Sequence, residues 1–376
     1  MERPGTLALA PLLLTCLACS VDREARVDAA PTPEDPAVDA ALEEVFGSGA
    51  LPGGVAAIAR AGEPIRAAAF GVRSVGRDEA FTVDDLVHIG SDTKAMTAAL
   101  CARLVERGDL GWSTTLEERL PDLAEEVDVA FRGATLLQFL RHTSGAPANA
   151  DWGAHAELPL GERRRRIAAD ALSGPPGAKP GAAFLYSNLG YMVAGLMAEE
   201  AGAAPWEELI LSEVAAPLGI TTMGFGAPGP EGEYEQPWGH RSLGDARIPL
   251  QSDNDPALGP AGTVHLSMAD WSRFVLAFTE PGRVEGFLGE ESFAQLLEVG
   301  LDDYACGWAV TRRPWAGGAA LMHAGSNTMW FALTWVAPVQ GRAFLVAVNA
   351  APDEAQAQCD RMIGELLALD APAEGR

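Results

Sequence analysis

Lysine is almost absent from this chain: two occur in 376 residues, against 25 arginines. Arginine stays charged at any working pH, whereas an amine can lose its proton when buried. A chain that carries its positive charge on arginine therefore leaves its few lysines as candidates for proton chemistry. Lys94 stands three places after Ser91 in Ser91-Asp92-Thr93-Lys94; the other lysine, Lys179, has no comparable motif. Excess basic charge is missing too. The formal net charge is -25, a field that repels nucleic acid and anionic lipid surfaces and excludes nonspecific binding to either. Cysteines are few. Cys101, Cys306 and Cys359 lie among apolar neighbours and read as core residues rather than as a metal site; a pair could join outside the cytoplasm, but the sequence does not choose one. No Gly-x-Ser-x-Gly elbow, His-Glu-x-x-His pair or Gly-x-x-x-x-Gly-Lys phosphate cradle occurs, and no cofactor or metal is implied.

What is present begins with an export pattern. Arg3 precedes a short apolar core, Leu7 to Leu14, which is too short to span a bilayer as a helix. Residues 1–18 read as a signal peptide, and Leu17-Ala18-Cys19 looks like a bacterial lipoprotein cleavage site with Cys19 as the lipidated residue. The expectation is an exported cell-envelope protein attached to the membrane through that lipid, periplasmic in a Gram-negative source. Residues 19–37, rich in Pro, Ala, Asp and Glu, read as a flexible tether.

Periodicity organises the remainder. Residues 36–46 carry Val38, Leu42 and Val45 on one helical face, and residues 54–59 and 65–72 read as a strand, a turn and a strand. Met96, Leu100 and Leu104 recur four apart in a helix predicted over 91–107, with small alanines for close packing and Gly108 as its stop. Helical patterns follow at 135–141, 163–172, 190–201, 206–215 and 269–278, with few persuasive strands among them. Strand patterns return near 306–311, 329–336 and 342–348, and a last helix is expected over 353–369. Strands early and late with helices between predict a sheet domain built from 38–115 and 300–376, and a mainly helical lobe from 116–299 inserted into it.

Three motifs carry chemistry. Ser91 and Lys94 share the first helical turn, where exposed amides favour a developing alkoxide and disfavour a charged amine. Ser91 is the candidate nucleophile, and Lys94 its base or proton shuttle. Tyr186-Ser187-Asn188 follows Pro180-Gly181. Tyr186 is a candidate for taking the serine proton and passing it to a leaving group, and Asn188 for holding Lys94 and a substrate carbonyl. His323-Ala324-Gly325-Ser326 precedes an apolar strand: Gly325 permits close backbone approach, the Ser326 amide can pair with the Ser91 amide as an oxyanion hole, and His323 can orient the nucleophile side or contact a polar substrate group. A core histidine bonded to backbone is the structural alternative for His323.

In this order the motifs resemble the penicillin-recognising serine hydrolases: class C beta-lactamases, serine D-alanyl-D-alanine carboxypeptidases and beta-lactamase-fold esterases. The resemblance runs from about Val38 to Leu369. It includes Leu137-Gln138-Phe139-Leu140-Arg141-His142-Thr143-Ser144-Gly145, Pro217-Leu218-Gly219-Ile220 and Gly259-Pro260-Ala261-Gly262. It implies an α/β fold of the beta-lactamase/transpeptidase type, an antiparallel sheet flanked by helices with the helical lobe inserted. It also implies an acyl-enzyme on Ser91, protons managed by Lys94 and Tyr186, and an oxyanion held by the Ser91 and Ser326 amides, with His142 and Gly145 as structural residues.

One departure bears on substrate. Beta-lactamases and carboxypeptidases of this group usually have lysine where this chain has His323, and a histidine presents no permanent cation to a substrate carboxylate. The reading is a serine hydrolase acting on a small ester or peptide-like amide. Beta-lactamase, D-alanyl-D-alanine carboxypeptidase and a slowly deacylating sensor are the alternatives.

Overall fold

Asp35 caps the first helix: its carboxylate accepts the amides of Ala37 and Val38, and Pro36 occupies the first turn of helix α1 (Pro36–Phe46). The same carboxylate pairs with Arg66 at 2.8 Å, and the Asp35 amide donates to Ala67 O. The expected tether therefore ends sooner than residue 37, because the cap and its ion pair already fasten residues 35–37 to the neighbouring strand. The computed structural model describes residues 32–371 except 245 and 281; the predicted signal peptide, Cys19 and the tether through residue 31 lie outside the described residues.

In chain order the strands are β1 (Gly53–Arg60), β2 (Arg66–Gly71), β3 (Leu86–His88), β4 (Gly224–Phe225), β5 (Gly239–Leu243), β6 (Ala246–Leu250), β7 (Val264–Ser267), β8 (Ala309–Arg313), β9 (Gly318–Ser326), β10 (Phe331–Ala337) and β11 (Arg342–Val348). The longer helices after α1 are α2 (Thr93–Glu106), α3 (Leu160–Ala171), α4 (Asn188–Gly202), α5 (Met268–Leu276) and α6 (Pro352–Asp370).

Six strands form one antiparallel sheet in the order β2-β1-β11-β10-β9-β8. Because β1 pairs with β11 from Gly54↔Val348 to Arg60↔Arg342, early and late chain build the same sheet. Alternation sends the two sets of β1 side chains to opposite faces. Ala56 and Ile58 meet Val38, Leu42 and Met362 of α1 and α6, whereas Val55 and Ala57 join the larger core with Met96, Leu100 and Trp271. Helix α2 is buried around its circumference, with alanines at 95, 98, 99 and 102 letting neighbours approach closely. It is the central helix of the molecule, and the serine motif lies at its N-terminal end.

The region expected to be almost free of strands contains four. β7 pairs with β3, Leu86↔Ser267 to His88↔His265, and β4 joins its other side; β5 and β6 form a hairpin. These are runs of two to five residues, too short for alternation to stand out against Gly and Pro neighbours. The helix expected over 206–215 is present, α-helical through Ile210 and continuing as a wider π-helical turn, Leu211–Ala215. Among the described residues no helix is long and apolar enough to cross a membrane.

Candidate active site

Ser91 is not inside α2 but in a 3-10 turn, Gly90–Asp92, that leads into it at Thr93. The sequence pattern placed it in the helix; the tighter turn keeps it three residues from Lys94 and on the same side. Lys94 is fully buried. Its Nζ donates to Ser91 Oγ at 3.0 Å, to Asn188 Oδ1 at 2.8 Å and to Ala261 O at 2.7 Å. Three acceptors satisfy an ammonium, yet burial in this apolar interior lowers its pKa from 10.5 to about 7, with the Asp92 charge opposing the shift. Asp92 is itself buried and neither carboxylate oxygen has a hydrogen-bond partner. Burial holds its pKa well above the ordinary carboxylate range, against the pull of Lys94.

The second motif arrives on the start of α4. Ser187 caps that helix, accepting the Gly190 amide at 2.8 Å and donating to Pro147 O; this sets Asn188 as the first helical residue and leaves Tyr186 just outside. Tyr186 OH donates to Ser91 Oγ at 3.0 Å. Its pKa is pushed up to about 12 by burial, partly offset by the bond to Ser91. More than a third of the residue is open to solvent. At neutral pH Tyr186 is a phenol that donates, which leaves the Lys94 amine as the better proton acceptor.

His142 supports this arrangement from behind. Its backbone is left-handed, φ 57°, and its Nδ1 accepts the Ser187 amide at 3.0 Å while its ring packs 4.3 Å from that of Tyr186. Burial drives its pKa to about 2, with Lys94 and His323 adding to the shift, so it is a neutral acceptor.

The third motif lies on β9, where no strand was expected; the sequence reading began the strand only at residue 329. Gly317, Gly318 and Gly325 weaken the strand signal, and the register Phe331↔Ser326 to Val336↔Leu321 is supplied by β10. Gly90, at φ 51°, and Gly325 bring the serine turn and β9 into direct backbone contact: a methyl on Gly90 would overlap the Ser326 amide nitrogen, and one on Gly325 would overlap Ile89 O. Gly90→Ala is expected to cost about 2–5 kcal/mol, since steric overlap and left-handed strain add. Urea unfolding checks it, with a loss under about 1 kcal/mol contradicting the packing described.

His323 is 6% exposed, packs edge-on to Tyr304, and donates from Nδ1–H to Gly307 O at 2.5 Å. Burial, against the Gly307 bond and with a smaller push from Lys94, lowers its pKa to about 4, so no cation stands at this position at neutral pH.

The fold thus joins Ser91, Lys94, Tyr186 and Asn188 by direct hydrogen bonds and brings the backbone at Gly325 and Ser326 against the serine turn. His323 is buried, with its ring bonded to Gly307 O. The sequence reading missed Ala261, whose carbonyl has no side-chain signature, and Asn149, whose Oδ1 accepts Asn188 Nδ2 at 2.8 Å. The Gly259-Pro260-Ala261-Gly262 landmark was the available signal for the first. A Gly-x-Gly-x-x-Gly spacing does occur, at Gly224 to Gly229, but no helix follows it and so it lacks a phosphate cradle. Cys101, Cys306 and Cys359 are buried and free.

The model of the family described as Beta-lactamase matches residues 38–368. The chain belongs to the beta-lactamase family. A monacolin J acid methylbutanoyltransferase of Aspergillus terreus is 32% identical over 184 residues, covering 42% of this chain and 43% of that protein. Esterase EstB of Burkholderia gladioli is 30% identical over 211 residues, covering 52% of each. The chain spans about half the length of these curated relatives. Among solved structures, the beta-lactamase/D-alanine carboxypeptidase of Pseudomonas syringae superposes with a TM-score of 0.73 at 17% identity, over 89% of this chain and 99% of that one. That likeness concerns the fold: an antiparallel sheet with helices, as the sequence resemblance implied. The family is one of serine hydrolases and acyltransferases.

Proposed function

We propose that this protein is a serine hydrolase that cleaves a small ester or peptide-like amide through an acyl-enzyme on Ser91. The observation that carries the reading is that Ser91 Oγ lies 3.0 Å from both Lys94 Nζ and Tyr186 OH, two groups able to move its proton. Neutral Lys94 takes the hydroxyl proton as Oγ bonds to the substrate carbonyl carbon. The Ser91 and Ser326 amides hold the resulting oxyanion. Collapse of that intermediate breaks the bond to the leaving group, which takes a proton through the Tyr186 hydroxyl as Lys94 re-supplies it. Water then repeats the sequence, releasing the acid and restoring Ser91.

The neutral, interior His323 supports an ester or amide without a required carboxylate over a beta-lactam or a peptide ending in D-Ala-D-Ala. The names of the similar transferase and esterase support acyl chemistry without fixing the acyl group. A substrate panel tests the ranking. Turnover of p-nitrophenyl butyrate is expected, with cephalosporin and D-Ala-D-Ala hydrolysis at least about 100-fold slower, a gap of about 2.7 kcal/mol. The reverse order makes it a beta-lactamase or carboxypeptidase. A burst of one product per chain with a persistent adduct makes it a slowly deacylating sensor.

A further inference from the structure

The amides proposed to hold the oxyanion come from segments 235 residues apart, and both lead into one buried polar chain. On the nucleophile side, the Gly90 amide, immediately before Ser91, donates to His88 Nδ1 at 3.1 Å. That bond assigns the ring proton to Nε2, which lies 2.9 Å from Asp253 Oδ1, off the axis of a linear hydrogen bond. On the β9 side, Asn327, immediately after Ser326, donates from Nδ2 to the same Asp253 Oδ1 at 2.8 Å. Its Oδ1 accepts the Met329 and Trp330 amides at 3.1 and 2.9 Å, fixing the turn out of β9. One carboxylate oxygen thus meets both His88, which accepts the amide of the residue before Ser91, and Asn327, the residue after Ser326.

All three side chains are almost wholly buried: His88 0%, Asn327 2% and the Asp253 side chain 5% exposed. A polar chain in the interior is costly to bury; here Asn327 holds Asp253 by a hydrogen bond, His88 Nε2 meets it only as a close contact, and Asp253 Oδ2 has no hydrogen-bond partner. Thr328, next to Asn327, is β-branched yet holds φ at 73°, with its amide bonded to Ser326 Oγ at 2.9 Å. Such backbone strain persists only where surrounding bonds impose it.

We propose that Asp253, with His88 and Asn327, is a positioning unit that sets the separation and direction of the Ser91 and Ser326 amides. None of the three touches the reacting atoms. They act by holding both donors where the oxyanion forms, so removing one link leaves substrate binding nearly unchanged and weakens transition-state stabilisation. The proposal rests on the Ser91 acyl-enzyme reading.

The test uses the full chain carrying Asp253→Asn, Asn327→Ala or His88→Asn; in the last, an amide oxygen can still accept the Gly90 amide but the shorter arm does not reach Asp253. Two rates are measured: turnover of p-nitrophenyl butyrate, and inactivation by a p-nitrophenyl alkylphosphonate, whose serine adduct places a phosphoryl oxygen in the oxyanion position. We expect kcat to fall roughly 10- to 100-fold with KM within about threefold, and phosphonylation to slow by the same factor. A merely structural role would not split kcat from KM in this way. If Asp253→Asn does not fold, the other two variants decide. Folded variants with kcat and phosphonylation within threefold of the parent overturn the proposal, as does a rise in KM alone. A parent protein that neither turns over the ester nor reacts with the phosphonate overturns the Ser91 reading itself, and this proposal with it.

Discussion

Ser91→Ala is expected to lower kcat for ester hydrolysis by about four to six orders of magnitude while leaving the protein folded. The size follows from the loss of the only proposed atom that bonds to substrate carbon; comparable removals of a serine nucleophile cost on the order of a millionfold. The intact fold follows from the contacts. Lys94 Nζ keeps Asn188 Oδ1 and Ala261 O when the serine oxygen goes, so the buried amine is not left bare. Ser91 sits in a half-buried turn whose shape is set by Gly90 and the β9 backbone rather than by its hydroxyl. Steady-state assay beside a thermal melt checks both halves. Residual turnover within a hundredfold of the parent would remove Ser91 from the mechanism.

Lys94→Arg separates a base from a mere cation. An arginine keeps the charge but never offers a neutral nitrogen, so kcat/KM is expected to fall at least about 1000-fold, near the upper part of the range for general-base catalysis. Lys94→Met, similar in length and without a proton to move, is expected to be at least as slow, which covers the case in which the wider guanidinium disturbs the site. The parent enzyme supplies a pH signature. With a pKa of 10.5 roughly one lysine in three thousand would be neutral at pH 7, whereas at about 7 half are. Because the reactive form is the deprotonated one, kcat/KM is expected to drop about tenfold per pH unit below about 7 and to level off above it. The Tyr186 phenol, pushed upward by burial, adds no second limb near neutrality. A profile flat from pH 5 to 9, or an arginine variant with parental activity, would mean that Lys94 acts only through its charge.

Much of this site was legible before any coordinates because its signals are local. Ser91 and Lys94 are three residues apart, so one turn suffices to bring them together, and the alanine-rich pattern after them identifies a packed helix. Helix α1 and strand β11 were equally plain, one from a 3.6-residue period and the other from a continuous apolar run. Tyr186 and Asn188 needed the resemblance, since nothing local says that residues 95 and 94 positions away meet Ser91 and Lys94. What stayed hidden was either backbone or very short. The Ala261 carbonyl is an acceptor that any residue provides, and β3 pairs three residues with a strand far along the chain. β9 was lost for a different reason: Gly325 lets the serine turn approach, and that requirement removed one of the side chains by which a strand is recognised. His323 illustrates the limit in the other direction. Its motif left two readings open, a contact with the nucleophile side or substrate and a core histidine bonded to backbone; the ring is turned to Gly307 O inside the protein, as in the second, a choice that only tertiary packing makes.

The most direct test of the central claim is peptide mapping by mass spectrometry after the protein is quenched in acid during turnover of a slowly deacylating acyl ester. The predicted result is one acyl group per chain, carried on the peptide containing Ser91 and absent from the Ser91→Ala protein. An adduct on any other residue, or one that persists when Ser91 is alanine, would contradict the assignment of Ser91 as nucleophile.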